Sequence, residues 1–152
     1  MKINRDTALR ILSDLIAIPS VNPMGRDVGA TDVVERPVLD YIEELFRPYG
    51  VPMHRTACSR IHENLSIEVP GKVDDAYTLL ESHVDTVPAE DWHDRAFSPR
   101  MEGAYLFGRG ACDDKGCLTA MILAVLQLLE SKCRPPLPVI LLAAGDEEFA
   151  QS

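Results

Sequence analysis

The sequence lacks a long apolar segment and an excess of positive charge. Its apolar runs, such as LPVILLAA at residues 137–144, are far too short to span a bilayer, and the opening MKINRDTALR has no apolar core of signal-peptide length. Fifteen Lys and Arg against 24 Asp and Glu give a net charge of −9, which would repel phosphate backbones and anionic membrane surfaces. We therefore expect a cytoplasmic protein that binds neither nucleic acid nor membrane.

The chain also lacks a cysteine pattern of a recognised kind. Cys58, Cys112, Cys117 and Cys133 show neither the C-x-x-C spacing of a zinc knuckle nor the density of a disulfide scaffold, so we expect reduced, mostly buried thiols. At 152 residues and 46% hydrophobic content, the chain is long enough for one domain with its own core.

Hydrophobic periodicity predicts helices first and strands afterwards. Apolar residues at helical spacing predict an amphipathic helix at 5–17 and a second helix that runs to about Tyr49 and ends at Gly50. Three strands are then expected before a hairpin around Gly103. Alternation in NLSIEV and the apolar run that follows it place two of the three at 64–69 and 77–83.

The pattern in residues 77–144 predicts a crossover unit, in which a helix connects two parallel strands. Residues 116–130 are apolar almost all round, which predicts a helix covered on more than one side, and VILLAA at 139–144 predicts a strand buried on both faces. Strand 77–83, this helix and strand 139–144 should form one unit with parallel strands. The carboxyl ends of the two strands should then lie on the same edge of the sheet.

Two polar clusters flank the predicted crossover helix. In SHVDTVP, alternation puts His83 and Asp85 on one face, where Asp85 can accept the ring N–H of His83 and fix which nitrogen faces a metal. Taken alone, a His near a strand end is more often structural. In GRGACDDKG, Asp113 and Asp114 stand at the amino end of the helix, where an Asp is usually a cap. A second Asp is more than capping requires.

The third cluster, GDEE, carries Glu147 and Glu148 at the end of strand 139–144. By itself it would be a solvated loop. The crossover unit, however, places His83, Asp113 and these glutamates along one edge of one sheet. A neutral imidazole with several converging carboxylates is a ligand set for zinc, manganese or cobalt, and the carboxylates would repel one another without a cation.

Three motifs together identify a family resemblance. SHVDTVP, GRGACDDKG and AAGDEEF, in this order and at these separations, resemble the metal-site motifs of the metallohydrolases that include acetylornithine deacetylase, succinyl-diaminopimelate desuccinylase, aminoacylase and glutamate carboxypeptidase; IPSVNP near the start is similar too. The resemblance covers essentially the whole chain. It implies an α/β fold with three αβα layers and a mixed, mainly parallel sheet like that of zinc exopeptidases, here incomplete.

The resemblance also implies a role for each site residue. His83 would ligate one of two divalent ions, Asp113 would bridge both, and Glu148 would ligate the second. Glu147 would be the general base, and Asp85 the hydrogen-bond partner of His83. Two ions about 3.5–4 Å apart need a bridging carboxylate, and the water between them needs a base that is not itself a ligand. Zinc is the expected metal, with cobalt or manganese as alternatives, and the Asp113–Asp114 peptide bond is expected to be cis.

The family's remaining parts follow the DEE motif. They are another carboxylate ligand, a His ligand and a lid or dimerisation domain. We therefore expect residues 1–152 to be the amino-terminal portion of the catalytic domain of a longer enzyme, and inactive alone. His54, His62 and His93 are not expected to replace the missing ligands. The sequence does not distinguish acetylornithine-type deacetylation, desuccinylation and dipeptide cleavage. A homo-oligomer is also possible.

Other functions fit the sequence less well than a hydrolase does. GRG before a helix resembles a phosphate loop, but Asp113 replaces the third glycine of G-x-G-x-x-G and would oppose a pyrophosphate. Carboxylates beside Cys112 disfavour a thiolate nucleophile, and no G-x-S-x-G of a serine hydrolase is present. The serious alternative is a truncated, non-catalytic homologue that acts as an interaction module.

Overall fold

The computed structural model describes residues 3–27, 33–90, 92 and 95–149. Within them, three α-helices and six strands follow one another in the predicted order. They are α1 (Arg5–Ala17), α2 (Arg36–Phe46), β1 (Met53–Ala57), β2 (Glu63–Val69), β3 (Thr78–His83), β4 (Arg100–Glu102), β5 (Tyr105–Phe107), α3 (Lys115–Glu130) and β6 (Val139–Ala144).

Local sequence signals set the ends of the first two helices. α1 begins after Asn4, whose side chain accepts a hydrogen bond from the Thr7 amide at 2.9 Å, which satisfies an amide that has no partner within the helix. α2 carries a proline in its first turn, where the missing N–H needs no partner. A 3-10 turn continues α2 to Tyr49, and Gly50 ends it with φ +63°.

The four-stranded sheet has the order β1-β2-β6-β3. β3 and β6 are parallel, with Thr78 opposite Val139 and His83 opposite Ala144, which confirms the predicted crossover unit. β6 also pairs with β2, and there the strands are antiparallel, as are β1 and β2. The mixed sheet is therefore confirmed. "Mainly parallel" is wrong for the described strands, because β6 inserts between β3 and a strand that runs the opposite way.

One face of the sheet carries the core. Leu65 and Ile67 of β2 share that face with Leu141 of β6, and all three pack with buried residues of the three helices. On the opposite face, Leu79 of β3 is 44% exposed, and no described helix contributes to a core there. The described helices and sheet thus form two of the three layers of the predicted, incomplete fold. The alternate residues of β6 are half-buried rather than buried.

A buried lysine ties the start of α3 to the end of α1. The Lys115 ammonium donates to the carbonyl oxygens of Leu15 and Ile18, both at 2.8 Å. Burial lowers the pKa of Lys115 to about 8, whereas two carbonyl acceptors favour its charged form. The contact fixes the segment just before α3, where the Asp113–Asp114 peptide bond is cis, as expected.

The cysteines differ from expectation in their burial. None of the four is in a disulfide, but all are exposed. Cys58 and Cys112 lie outside helices and strands, Cys117 lies on an exposed position of α3, and Cys133 follows that helix. The prediction of mostly buried thiols is therefore wrong. Among the described helices, none has the length and apolar character needed to cross a bilayer.

Two leucine truncations test which face of the sheet is packed. Leu141 in the central strand is fully buried, so Leu141→Ala should lower the free energy of unfolding by about 2–5 kcal/mol. Leu79→Ala, in the edge strand, should cost less than about 1 kcal/mol because its side chain already meets solvent. Urea unfolding followed by circular dichroism measures both. Equal losses would contradict the assignment of the faces.

Candidate metal centre

Three of the predicted site residues converge at one edge of the sheet. His83 ends β3, Asp113 precedes α3 and Glu148 follows β6, and each offers a ligand atom within 4.8 Å of the other two. The parallel pairing of β3 with β6 explains this, because it brings the carboxyl ends of both strands to the same edge. One imidazole and two carboxylates are a donor set that suits zinc, cobalt or manganese.

The two nitrogens of His83 face different partners. Nε2 lies 3.0 Å from Asp113 Oδ1 and 3.9 Å from Glu147 Oε2. Nδ1 lies 3.0 Å from the backbone carbonyl oxygen of Asp85 and 3.5 Å from its carboxylate. If Nδ1 carries the proton and donates to Asp85, then Nε2 is left for a metal. The ring thus turns toward Asp85 as expected, but the carbonyl is nearer than the carboxylate.

The charges around His83 favour its protonated form. The Asp85 carboxylate raises the pKa of His83 most, burial opposes it, and Asp113 adds to the increase, so that the pKa is about 10. Metal ligation needs the neutral ring, since the same lone pair binds either the proton or the ion. A cation entering this cluster must therefore displace a proton from His83.

Asp85 is fully buried and anchors the loop that carries the glutamates. Its carboxylate accepts hydrogen bonds from the backbone amides of Glu147 at 3.2 Å and Glu148 at 3.1 Å, and from the side chain of Asn22 at 2.8 Å. Burial alone would raise the pKa of Asp85, but the hydrogen bonds from His83, Asn22 and the two amides outweigh burial and lower it. Asp85 therefore stays ionised while it holds the loop.

We call Gly145–Glu148 the acidic loop. The Gly145 amide donates to Asn64 Oδ1 at 2.8 Å, and Asp146 takes a left-handed backbone with φ +62°. After it, the two glutamates diverge. Glu148 accepts a hydrogen bond from the Val87 amide at 3.2 Å, and burial raises its pKa, whereas the Glu147 side chain is 47% exposed. Adjacent residues with different directions can serve as ligand and base.

Asn22, Glu35 and His62 belong to this site, although the sequence pattern predicts no part in it for any of them. His62 is buried, with Nδ1 2.6 Å from Glu35 Oε1 and Nε2 3.4 Å from Asp146 Oδ1. It supports the acidic loop and does not join His83 at the cluster. Only the motif IPSVNP offered a signal for Asn22, because the other contacts join residues far apart in the chain.

His54 does not add to the cluster. His54 lies in β1, at the far edge of the sheet from β3, and its side chain is exposed. His93 lies outside the described residues.

Comparison with known sequences relates this site to a peptidase family. Residues 79–152 match the model of peptidase family M20/M25/M40. Succinyl-diaminopimelate desuccinylase of Rhodopseudomonas palustris (strain BisB5) is 34% identical over 154 residues, a match that covers 97% of this chain and 37% of the relative. The enzyme of the same name from Afipia carboxidovorans is 32% identical and covers 93% and 36%. The chain thus spans little more than a third of these relatives.

Solved structures share the fold. Human carnosine dipeptidase 1 superposes with a TM-score of 0.74 at 20% identity, over 94% of this chain and 32% of that protein. An M20 family metallo-carboxypeptidase from Sulfolobus solfataricus gives 0.71 at 24% identity, over 96% and 32%. The predicted family resemblance and the α/β fold are confirmed.

The raised pKa of His83 can be measured in the metal-free protein. With excess chelator, the ring signals of His83 in an NMR titration should change near pH 10 rather than near 6.5. Because the folded-state pKa is raised, this group stabilises the fold below pH 6.5 and loses that effect as the pH rises through about 10. Asp113→Asn should lower the midpoint, whereas Asp74→Asn, at an exposed loop position, should not. An unchanged midpoint in Asp113→Asn would contradict the contact.

Proposed function

We propose that this chain, which resembles peptidase family M20/M25/M40, supplies the amino-terminal part of the catalytic domain of a metal-dependent hydrolase. The substrate would be an N-acyl amino acid or a small peptide, and the bond cleaved an amide. The convergence of His83, Asp113 and Glu148, with Glu147 beside them, carries the proposal. Two divalent ions are the proposed cofactors, and zinc is the preferred metal for both.

Each residue of the cluster has a distinct part in this proposal. His83 and Asp113 would hold one ion, and Asp113 and Glu148 the other. This fits the exposed Asp113 carboxylate, which lies within 4.8 Å of the ligand atoms of both other residues. The ions, when bound, would polarise the scissile carbonyl and lower the pKa of the attacking water. Asp85 would keep the Nδ1 proton of His83 in place so that Nε2 faces the metal.

Glu147 is the proposed general base. Its carboxylate reaches to 3.9 Å from His83 and is half exposed, so it borders the cluster and is open to solvent and substrate. In an amide hydrolysis it would take a proton from the attacking water and pass that proton to the leaving nitrogen. Its neighbour Glu148 is turned toward Val87 and the buried side of the site, which suits a ligand better than a base.

The substrate class rests on the relatives. Two that are 32% and 34% identical are named succinyl-diaminopimelate desuccinylase, so an N-succinyl amino acid is the first substrate to test. N-acetyl amino acids and dipeptides come next, since solved neighbours include a dipeptidase. Four unpaired thiols suit the reducing cytoplasm, which we propose as the compartment.

An interaction module is the second candidate function. In the described part of the chain, the cluster offers three ligand residues, fewer than two catalytic ions usually take from a protein. The sheet face that carries Leu79 is also open. In this second function, a second copy of the chain would cover the open face, and the three-residue cluster would bind metal poorly and catalyse nothing.

Substitution of each glutamate separates the base from the ligand. Glu148→Gln should reduce the amount of Co²⁺ or Zn²⁺ bound, because it replaces a ligand carboxylate by a weaker amide oxygen. Glu147→Gln should leave metal content near normal, and in a longer chain that turns over substrate it should reduce kcat by about 10²–10⁴-fold. Metal analysis by mass spectrometry and an amidase assay give both results. The reverse pattern would exchange the two roles.

A metal titration of the 152-residue chain separates hydrolase from module. Because the described residues give each ion only two protein ligands, Zn²⁺ should bind weakly and exchange readily, with no turnover of N-succinyl or N-acetyl amino acids. Calorimetry and a ninhydrin assay for the released amine measure this. Tight binding of two ions with turnover would show that all the ligands are supplied by this chain. Absence of any binding would favour the module.

A further inference from the structure

We propose that Asn22 is a positioning residue that sets the acidic loop against Asp85 and His83, an inference that rests on the proposed metal centre. Asn22 lies more than sixty residues from either partner in sequence, and its side chain is fully buried. It does not belong to the three-residue ligand cluster. Its effect would be exerted through the hydrogen bonds that its amide donates.

The backbone around Asn22 is held by a single parallel β-bridge and its hydrogen bonds. The Asn22 amide donates to the Thr86 carbonyl at 2.9 Å, and the Thr86 amide donates to the Ser20 carbonyl at 2.9 Å. Val21 forms a parallel bridge with Thr86, and the Ser20 hydroxyl donates to the Val84 carbonyl at 2.6 Å. The position of Asn22 is therefore fixed relative to the segment that carries Asp85.

The contacts of Asn22 also fix the orientation of its amide. Oδ1 accepts a hydrogen bond from the Met24 backbone amide at 2.8 Å, so the NH₂ group must point the other way. That group donates to Asp85 Oδ2 at 2.8 Å and to Asp146 Oδ1 at 2.9 Å. One neutral side chain thus donates a hydrogen bond to each of two buried carboxylates that would otherwise repel each other.

These two bonds hold the acidic loop in two ways. Asp146 is the loop residue immediately before Glu147, with a left-handed backbone at φ +62°. The Asp85 carboxylate accepts hydrogen bonds from the backbone amides of Glu147 and Glu148. Asn22 therefore connects the residue at the loop's turn with the carboxylate that binds the amides after that turn. Loss of the connection should let the Glu148 carboxylate move away from His83.

The key variant is Asn22→Asp. Aspartate has the same shape and keeps the oxygen that accepts the Met24 amide, but it replaces the donor with another carboxylate oxygen. In the metal-free chain at pH 8, amide hydrogen exchange at Glu147 and Glu148 should become at least about tenfold faster, while Leu141 in β6 stays protected. Co²⁺ should bind about 10–100-fold more weakly, as is typical when a group behind a metal ligand is changed.

Two further variants serve as controls. Asn22→Ser retains one hydroxyl donor and should fall between the wild type and Asn22→Asp in exchange rate and Co²⁺ affinity. Tyr41→Phe removes the 2.8 Å hydrogen bond from the Tyr41 hydroxyl to Asp14, between α1 and α2, and should leave the acidic loop unchanged. Thermal melting of every variant reports the general cost of losing such a bond.

The outcomes are distinguishable. If Asn22→Asp exchanges and binds Co²⁺ like the wild type, the amide donor positions nothing and the proposal fails. It also fails if exchange at Leu141 accelerates as much as at Glu147, which would show general destabilisation; if Asn22→Asp does not fold, Asn22→Ser decides by the same two amides. A wild type that binds no Co²⁺ would refute the metal centre, and exchange at the acidic loop would still decide the role of Asn22.

Discussion

The buried carboxylate of Asp85 is the interaction on which the rest of the site depends. A charge removed from water must be satisfied by donors, and Asp85 receives the Asn22 side chain and two backbone amides, with His83 beside it. These donors come from three separate segments of the chain. Satisfying one charge therefore brings residues 20–22, the end of β3 and the acidic loop into a single arrangement.

This arrangement concentrates negative charge at one edge of the sheet. Asp113 and the two glutamates surround His83, and the protonated ring is the cation that compensates them in the metal-free protein. A divalent ion can take over that compensation, because it offers more charge to the same oxygens and needs the lone pair that the proton occupies. A proton and a divalent ion would therefore compete for the same nitrogen of His83.

In the described residues, helices cover only one face of the sheet whose edge carries the site. Helices cover the face that carries Leu65 and Leu141, and the ligand edge is formed where β3 and β6 end together. Within these residues the face that carries Leu79 is open, and His83, Asp113 and Glu148 are the converging ligand set.

The sequence alone determined the helices and the crossover unit, because hydrophobic periodicity is a local property of the chain. The convergence of His83, Asp113 and Glu148 then followed, because the crossover unit brings the ends of β3 and β6 to one edge of the sheet. It could not determine that β6 lies antiparallel to β2, that the helices share one face or that the thiols are exposed, since those depend on which elements pack together. The same holds for Asn22, Glu35 and His62. Their contacts join residues 27 to 124 positions apart, and only the tertiary structure decides which distant donor satisfies a buried carboxylate.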